Sequence, residues 1–288
     1  MAQDRRADEE HLTARIAPRH RRARGVALML GGPLLVIGAI VGGRLAMPVK
    51  ELKLAPLVPF EIPSAAAPTP ALLATPLVAV PASSFTMGTT QPGEAPAHVV
   101  TVPAFALDRT EVSVGDYRAC VTAGKCPADD LASIAGCTWS GSDDRAPMNC
   151  VDWNEADIFC RWLGKRLPTE SEWELAARGP EGRTYPWGNT PPTAERACFD
   201  RTTPCPTGDH PSGATPSGIH DLAGNLWEWT SSPYCPYGHD GCDSVERAVR
   251  GGSFTAKDGA RLRSSVRSGH VITLRELYLG FRCARDGR

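Results

Sequence analysis

Asp221-Leu-Ala-Gly-Asn-Leu-Trp-Glu-Trp229 places an Asp, an Asn, a Glu, a Gly and two Trp within nine residues. That mixture suits neither an amphipathic helix nor a plainly alternating strand. Trp227 and Trp229 stand two apart, as on one face of an extended segment, and Glu228 points to the opposite face. Asp221 and Glu228 carry hard oxygen donors. Gly224 lets the backbone turn so that carbonyls can join them, which is what a calcium site requires. On spacing alone the stretch also reads as a turn leading into a core strand, its acids merely hydrogen-bonded.

All ten cysteines lie between Cys120 and Cys283. An even number confined to one region points to a disulfide framework in an oxidising compartment. A zinc site is the alternative, but C-x-x-C is absent and successive cysteines are six or more apart. The 31 basic and 32 acidic residues nearly balance over the 288-residue chain. Residues 1–24 carry seven Arg against four acids, whereas the C-terminal two hundred or so lean acidic. Without a basic stripe in that part, nucleic acid is excluded as a partner.

Gly25–Gly43 is nineteen residues without a charge, enough at about 1.5 Å per residue nearly to span a bilayer core. His20-Arg21-Arg22-Ala23-Arg24 precedes it, so the positive-inside rule keeps the N-terminus cytoplasmic. A cleaved signal peptide is the rival, but the 24-residue leader is long and no clean A-x-A site follows. The chain thus divides into a cytoplasmic basic segment (1–24), a transmembrane anchor (25–47), a Pro/Ala-rich linker (48–81) and an exported domain (82–288). Repeated Pro in the linker favours extended chain that lifts the domain from the membrane into the periplasmic or extracellular space.

Within the domain, Ala82–Arg109 alternates short apolar runs with turn residues, as in antiparallel strands. Ser113 with Asp116 opens a short helix ending near Gly124, and Asp152-Trp-Asn-Glu155 starts a second. Thr169-Glu-Ser-Glu172 is a capping box for a third helix to Arg178, stopped by Gly179. Tyr185-Pro-Trp-Gly-Asn189 marks a tight turn, and from Thr190 onward regular structure thins out.

Together these pieces resemble the sulfatase-modifying-factor family, founded on the formylglycine-generating enzyme. The matching motifs begin with Phe85-Thr-Met-Gly88, Thr110-Glu-Val112 and Pro147-Met-Asn-Cys-Val-Asp-Trp153. Cys160–Trp173, Ala176–Gly179, Tyr185–Asn189 and Gly218–Trp229 continue the match, and Arg250-Gly-Gly-Ser-Phe254 and Gly280-Phe-Arg-Cys-Ala284 end it. The resemblance covers about residues 82–288 and implies an α+β fold with few regular elements, related to C-type lectins. It favours the calcium reading, with Asp221, Gly224, Leu226 and Glu228 as ligands of a structural ion. It also implies a Cys160–Cys283 disulfide. Proximity suggests four local pairs: Cys120–Cys126, Cys137–Cys150, Cys198–Cys205 and Cys235–Cys242.

The family's oxidase binds Cu(I), a soft ion suited to thiolates, through two cysteines shortly after the G-G-S-[FY] motif. Those positions fall here on Ala256 and Arg261, and the neighbouring family His position is Lys257. The resemblance therefore implies loss of copper-dependent oxidation. Trp227 and Ser253 match positions lining the substrate groove, and Tyr278 replaces an Asn there. The run Arg250–His270, with Arg250, Arg261, Arg263 and Arg267, reads either as a solvated face with local salt bridges or as a groove that grips an anion.

The related ergothioneine-synthase type of iron enzyme draws its His ligands from an extra N-terminal domain, where this chain has an anchor and a linker. His98, His210, His220, His239 and His270 show no metal spacing, and no nucleophile elbow, phosphate loop or dinucleotide fingerprint occurs. Two readings result: a membrane-tethered, monomeric binding or accessory domain for an unknown protein or small molecule, or a working oxidoreductase of the same family.

Overall fold

The computed structural model describes residues 75–287, apart from Ser133, His239, Asp240, Gly241 and Asp243. The stretches expected to be a cytoplasmic segment, an anchor and most of a linker lie outside the described residues. Among the described residues, no helix is long and apolar enough to cross a membrane.

Nine strands and three α-helices are present among the described residues. Strands β1 (Leu77–Val80), β2 (Ser83–Met87), β3 (His98–Val102) and β4 (Phe105–Asp108) come first. Helices α1 (Val114–Thr122), α2 (Trp153–Trp162) and α3 (Glu170–Arg178) follow. The last strands are β5 (Trp227–Pro233), β6 (Glu246–Arg250), β7 (Arg267–Val271), β8 (Leu279–Gly280) and β9 (Ala284–Asp286). They form a three-stranded sheet ordered β1-β4-β9, a β2-β3 hairpin and a four-stranded sheet ordered β7-β6-β5-β8. Only the β5–β8 pair is parallel among them. This mixed arrangement, with few helices, accords with the expected α+β class.

The helices start where their caps dictate. Ser113, Asp152 and Thr169 each accept a hydrogen bond from the backbone three residues on, and Asp116, Glu155 and Glu172 return it. Each helix buries one stripe. Val114, Tyr117 and Cys120 of α1 meet Ala156, Phe159 and Cys160 of α2 in a core shared with Trp229, Val249 and Phe281. Tyr117 stacks on Phe159 at 5.6 Å, and Phe159 meets Phe281 edge-on at 5.5 Å. Around α3, Trp173, Leu175, Ala176 and Ala177 pack against Phe85, Met87, Phe105 and Leu107 from the N-terminal strands.

β1 corrects the expected domain boundary, since Leu77–Val80 falls inside the stretch read as linker, yet pairs with Phe105–Asp108. Pro76 and Pro81 bracket the strand rather than interrupt it, and β1 is an edge strand, where proline is tolerated. The folded domain therefore begins before residue 82.

All ten cysteines are paired, in the five combinations expected. Four close short loops. Cys160–Cys283 instead ties α2 to the segment between β8 and β9 across 123 residues. A cross-link that closes a longer loop removes more freedom from the unfolded chain. Replacing Cys160 and Cys283 by alanine is expected to lower unfolding stability by about 5 kcal/mol, against about 2 kcal/mol for Cys120 and Cys126. Urea unfolding of the two double variants checks the order; equal losses would refute it.

Candidate functional site

The quoted stretch folds as a left-handed turn running into β5. Asp221, Gly224 and Asn225 have φ of 60°, 85° and 56°. Gly224 is required twice over, because a Cβ there would meet the Cys198 carbonyl at 2.4 Å as well as strain the backbone. The turn is stitched to its neighbours through Gly224 N–H to the Gly251 carbonyl (2.9 Å) and Asn225 N–H to the Cys198 carbonyl (2.9 Å). Phe254 N–H in turn donates to the Asn225 carbonyl at 2.7 Å.

Beneath the turn lies an ionic cluster. Glu228, fully buried on β5, accepts from Arg282 Nε (2.7 Å) and the Trp173 indole (2.7 Å) at Oε2, and from Arg282 Nη2 (2.7 Å) at Oε1. Glu111 accepts from Leu226 N–H at 3.0 Å and from the Asn225 amide at 2.5 Å. Gly208 N–H donates to one oxygen of Asp221 at 2.6 Å. Burial above all, with the charges of Asp221 and Glu228 beside it, pushes the Glu111 carboxyl well above the usual carboxylate range. Burial likewise raises Asp221.

Glu111 and Arg282 are the members of this cluster that the sequence motifs contained without explaining. Their only signal was a lone acid in Thr110-Glu-Val112 and a lone base in Gly280-Phe-Arg-Cys283. Glu111, Asp221 and Glu228 stand around the one guanidinium of Arg282, and hard oxygen donors suit calcium. Both oxygens of Glu228 are already bonded to Arg282, and one oxygen of Asp221 accepts from Gly208 N–H. No group of three or more His, Cys, Asp or Glu side chains is gathered as metal ligands among the described residues. A calcium ion would thus depend on the turn carbonyls as well.

Above the turn a groove of about 240 Å³ is lined by Trp227, Gly252, Ser253, Thr255, Ala256, Lys257, Asp258 and Arg261. Gly252 (φ 71°) brings the chain against the Arg261 carbonyl, which a Cβ would approach to 2.4 Å. Of the groove residues read from sequence, Trp227, Ser253, Lys257 and Arg261 come together, with Ala256 on the wall. Tyr278 does not line the groove; its carbonyl accepts from Trp227 N–H at 2.8 Å, and its side chain packs against the cluster holding Leu226 and Phe254. Ala256 is buried with Tyr185, Ala197, Ala223 and Leu262. With every cysteine in a disulfide, the groove offers no thiolate, and its residues do not fit Cu(I).

The basic run divides. Arg250 is fully buried and bonds Glu170 (3.1 Å), Glu174 and the Ser264 carbonyl (2.8 Å). Arg267 holds both oxygens of Glu170 at 2.6 and 2.7 Å between the rings of Tyr234 and Tyr237. Arg263 bonds Glu94. These three are internal struts, so the run is neither a solvated face nor a cationic groove as a whole.

The chain matches the family described as "Sulfatase-modifying factor enzyme 1-like domain" over residues 63–287. It is 34% identical over 266 residues to mouse "Inactive C-alpha-formylglycine-generating enzyme 2", covering 72% of this chain and 85% of that protein. It is 31% identical over 304 residues to the formylglycine-generating enzyme of Streptomyces coelicolor, covering 77% of this chain and 96% of that one. Among solved structures, PvdO from Pseudomonas aeruginosa superposes with a TM-score of 0.62 at 27% identity, over 73% of this chain and 94% of that one.

Replacing Glu228 by alanine is expected to cost about 3–5 kcal/mol, because Arg282 stays buried without its counter-charge. Urea unfolding of E228A measures it. A loss of about 1 kcal/mol or less, typical of an exposed pair, would refute the role assigned to this pair.

Proposed function

The chain belongs to the sulfatase-modifying factor family, and we propose that it serves there as a binding or accessory module rather than as a copper-dependent oxidase. One observation carries the proposal: Ala256 and Arg261 occupy the groove where the family's resemblance puts its copper cysteines, and all ten cysteines are paired. Similarity alone does not choose, because relatives named for the activity and for its absence are both at hand. A site argument has to decide, since one fold hosts many functions.

The five disulfides support folding in an oxidising compartment. The apolar run Gly25–Gly43 supports a single-span anchor that leaves the domain outside the membrane. In this reading the C-type-lectin-like scaffold displays a groove for a protein or small-molecule ligand.

The deciding test gives the full-length chain copper, oxygen, a reductant and a peptide bearing the sulfatase Cys-x-Pro-x-Arg motif. Mass spectrometry is expected to find the thiol unchanged while a competent family enzyme converts it. Aldehyde formed over many turnovers, and lost in Ser253→Ala, would overturn the binding-module reading.

The same proposal includes a structural calcium ion held by Asp221, Glu228 and the Gly224 and Leu226 carbonyls. It would offset the charges of Asp221 and Glu228 beside buried Glu111 and so brace the turn beneath the groove. Calcium is expected to raise the melting temperature, and chelator to lower it, by several degrees. Asp221→Ala is expected to abolish the difference, and this variant is the cleaner probe because Glu228 also serves Arg282. Identical melting with calcium and with chelator would remove the ion.

A further inference from the structure

We propose that the groove is an oxyanion site in which Arg261 holds the carboxylate or phosphoryl group of a small organic ligand. The inference rests on reading the groove as a ligand site and names what that ligand carries. Its basis is what remains after the internal ion pairs are assigned. Arg250, Arg263 and Arg267 are bound by Glu170, Glu174 and Glu94. Arg261 stands exposed on the groove wall and makes no ion pair or hydrogen bond through its guanidinium among the described residues. A guanidinium offers a planar fork of donors that matches two oxygens of an oxyanion.

The neighbouring groups fit the same chemistry. Lys257 pairs with Asp200 at 2.9 Å, but the two side chains are 76% and 61% exposed, so solvent screens the pair and a ligand can compete for the ammonium. Asp258, the acid on the lining, accepts from Ala260 N–H at 3.0 Å and keeps its charge, against which Arg261 and Lys257 supply two positive charges. Ser253 Oγ and Thr255 Oγ1 lie 2.8 Å apart, so one hydroxyl proton serves their mutual bond and the other is free to be donated. Ser253 itself is buried, which holds its half of the pair in place. Trp227 supplies an apolar wall for the rest of the ligand. At about 240 Å³ the space is below the usual range for drug-sized ligands, which limits the bound portion to a compact group such as one ring bearing the anion.

The test titrates the full-length chain with benzoate, phenyl phosphate and neutral benzamide, followed by ligand-detected NMR. At least one anion is expected to bind saturably and more weakly as salt is added, with benzamide about tenfold weaker or more. Which anion binds tighter assigns the carboxylate or the phosphoryl class. Arg261→Gln is expected to lower anion affinity about tenfold or more without moving the melting temperature, since the side chain is exposed. Benzamide binding as tightly as the anions, unchanged affinity in R261Q, or no binding of either anion would overturn the assignment. Failure of the non-oxidase reading has its own signature, aldehyde formation, which these titrations do not measure.

Discussion

The fully buried pair of Glu228 and Arg282 is the constraint on which the packing of α3 against β5 and the chain before β9 depends. Burying two charges is expensive unless the remaining donors and acceptors are also met. Here they are. Arg282 gives Nη1 to the Asp108 carbonyl (3.1 Å) and Nη2 to the His220 carbonyl (2.9 Å), besides its two bonds to Glu228. Trp173 adds its indole proton to Glu228. One ion pair thereby joins the end of β4, the entry to the 221–226 turn, α3, β5 and the chain before β9. The next residue, Cys283, is tied to α2 by the long-range disulfide, so covalent and ionic constraints converge on one segment.

A second network works on the far side of α3. Glu170, Glu172 and Glu174 are all buried, an arrangement that a helix tolerates only when counter-charges come from elsewhere. Arg166 meets Glu172, Arg178 and Arg250 meet Glu174, and Arg267 meets Glu170. Glu170 and Glu174, one turn apart, share Arg250, whereas Glu172 faces Arg166. This network and the Arg263–Glu94 pair engage the other arginines of the 250–267 run and leave the charge of Arg261 available.

Groove and ion cluster are two faces of one turn. Glu111 holds the turn from below through Leu226 N–H, while Phe254 holds it from the groove side through the Asn225 carbonyl. Leu226 and Phe254 pack together with the Cys198–Cys205 disulfide. The groove floor is therefore rigid by construction, which suits recognition by fixed donors more than by a moving lid.

The sequence by itself determined what depends on neighbours a few residues away. The three capping boxes, the Gly179 stop and the Tyr185–Asn189 turn, closed by reciprocal bonds between Tyr185 and Gly188, were all legible because their partners lie within three or four positions. The disulfide framework was legible from an even count of cysteines, and the long-range pair from family resemblance. Tertiary structure alone decided the rest. Glu228 and Arg282 are 54 positions apart, and Glu111 and Leu226 are 115, so no local pattern marks them as partners. It also decided that Leu77–Val80 joins a sheet, and that Tyr278 lies off the groove. The basic run shows the reason most plainly. Whether an arginine faces solvent, a buried glutamate or a ligand is set by which distant element folds against it, and charge pairing carries no sequence period.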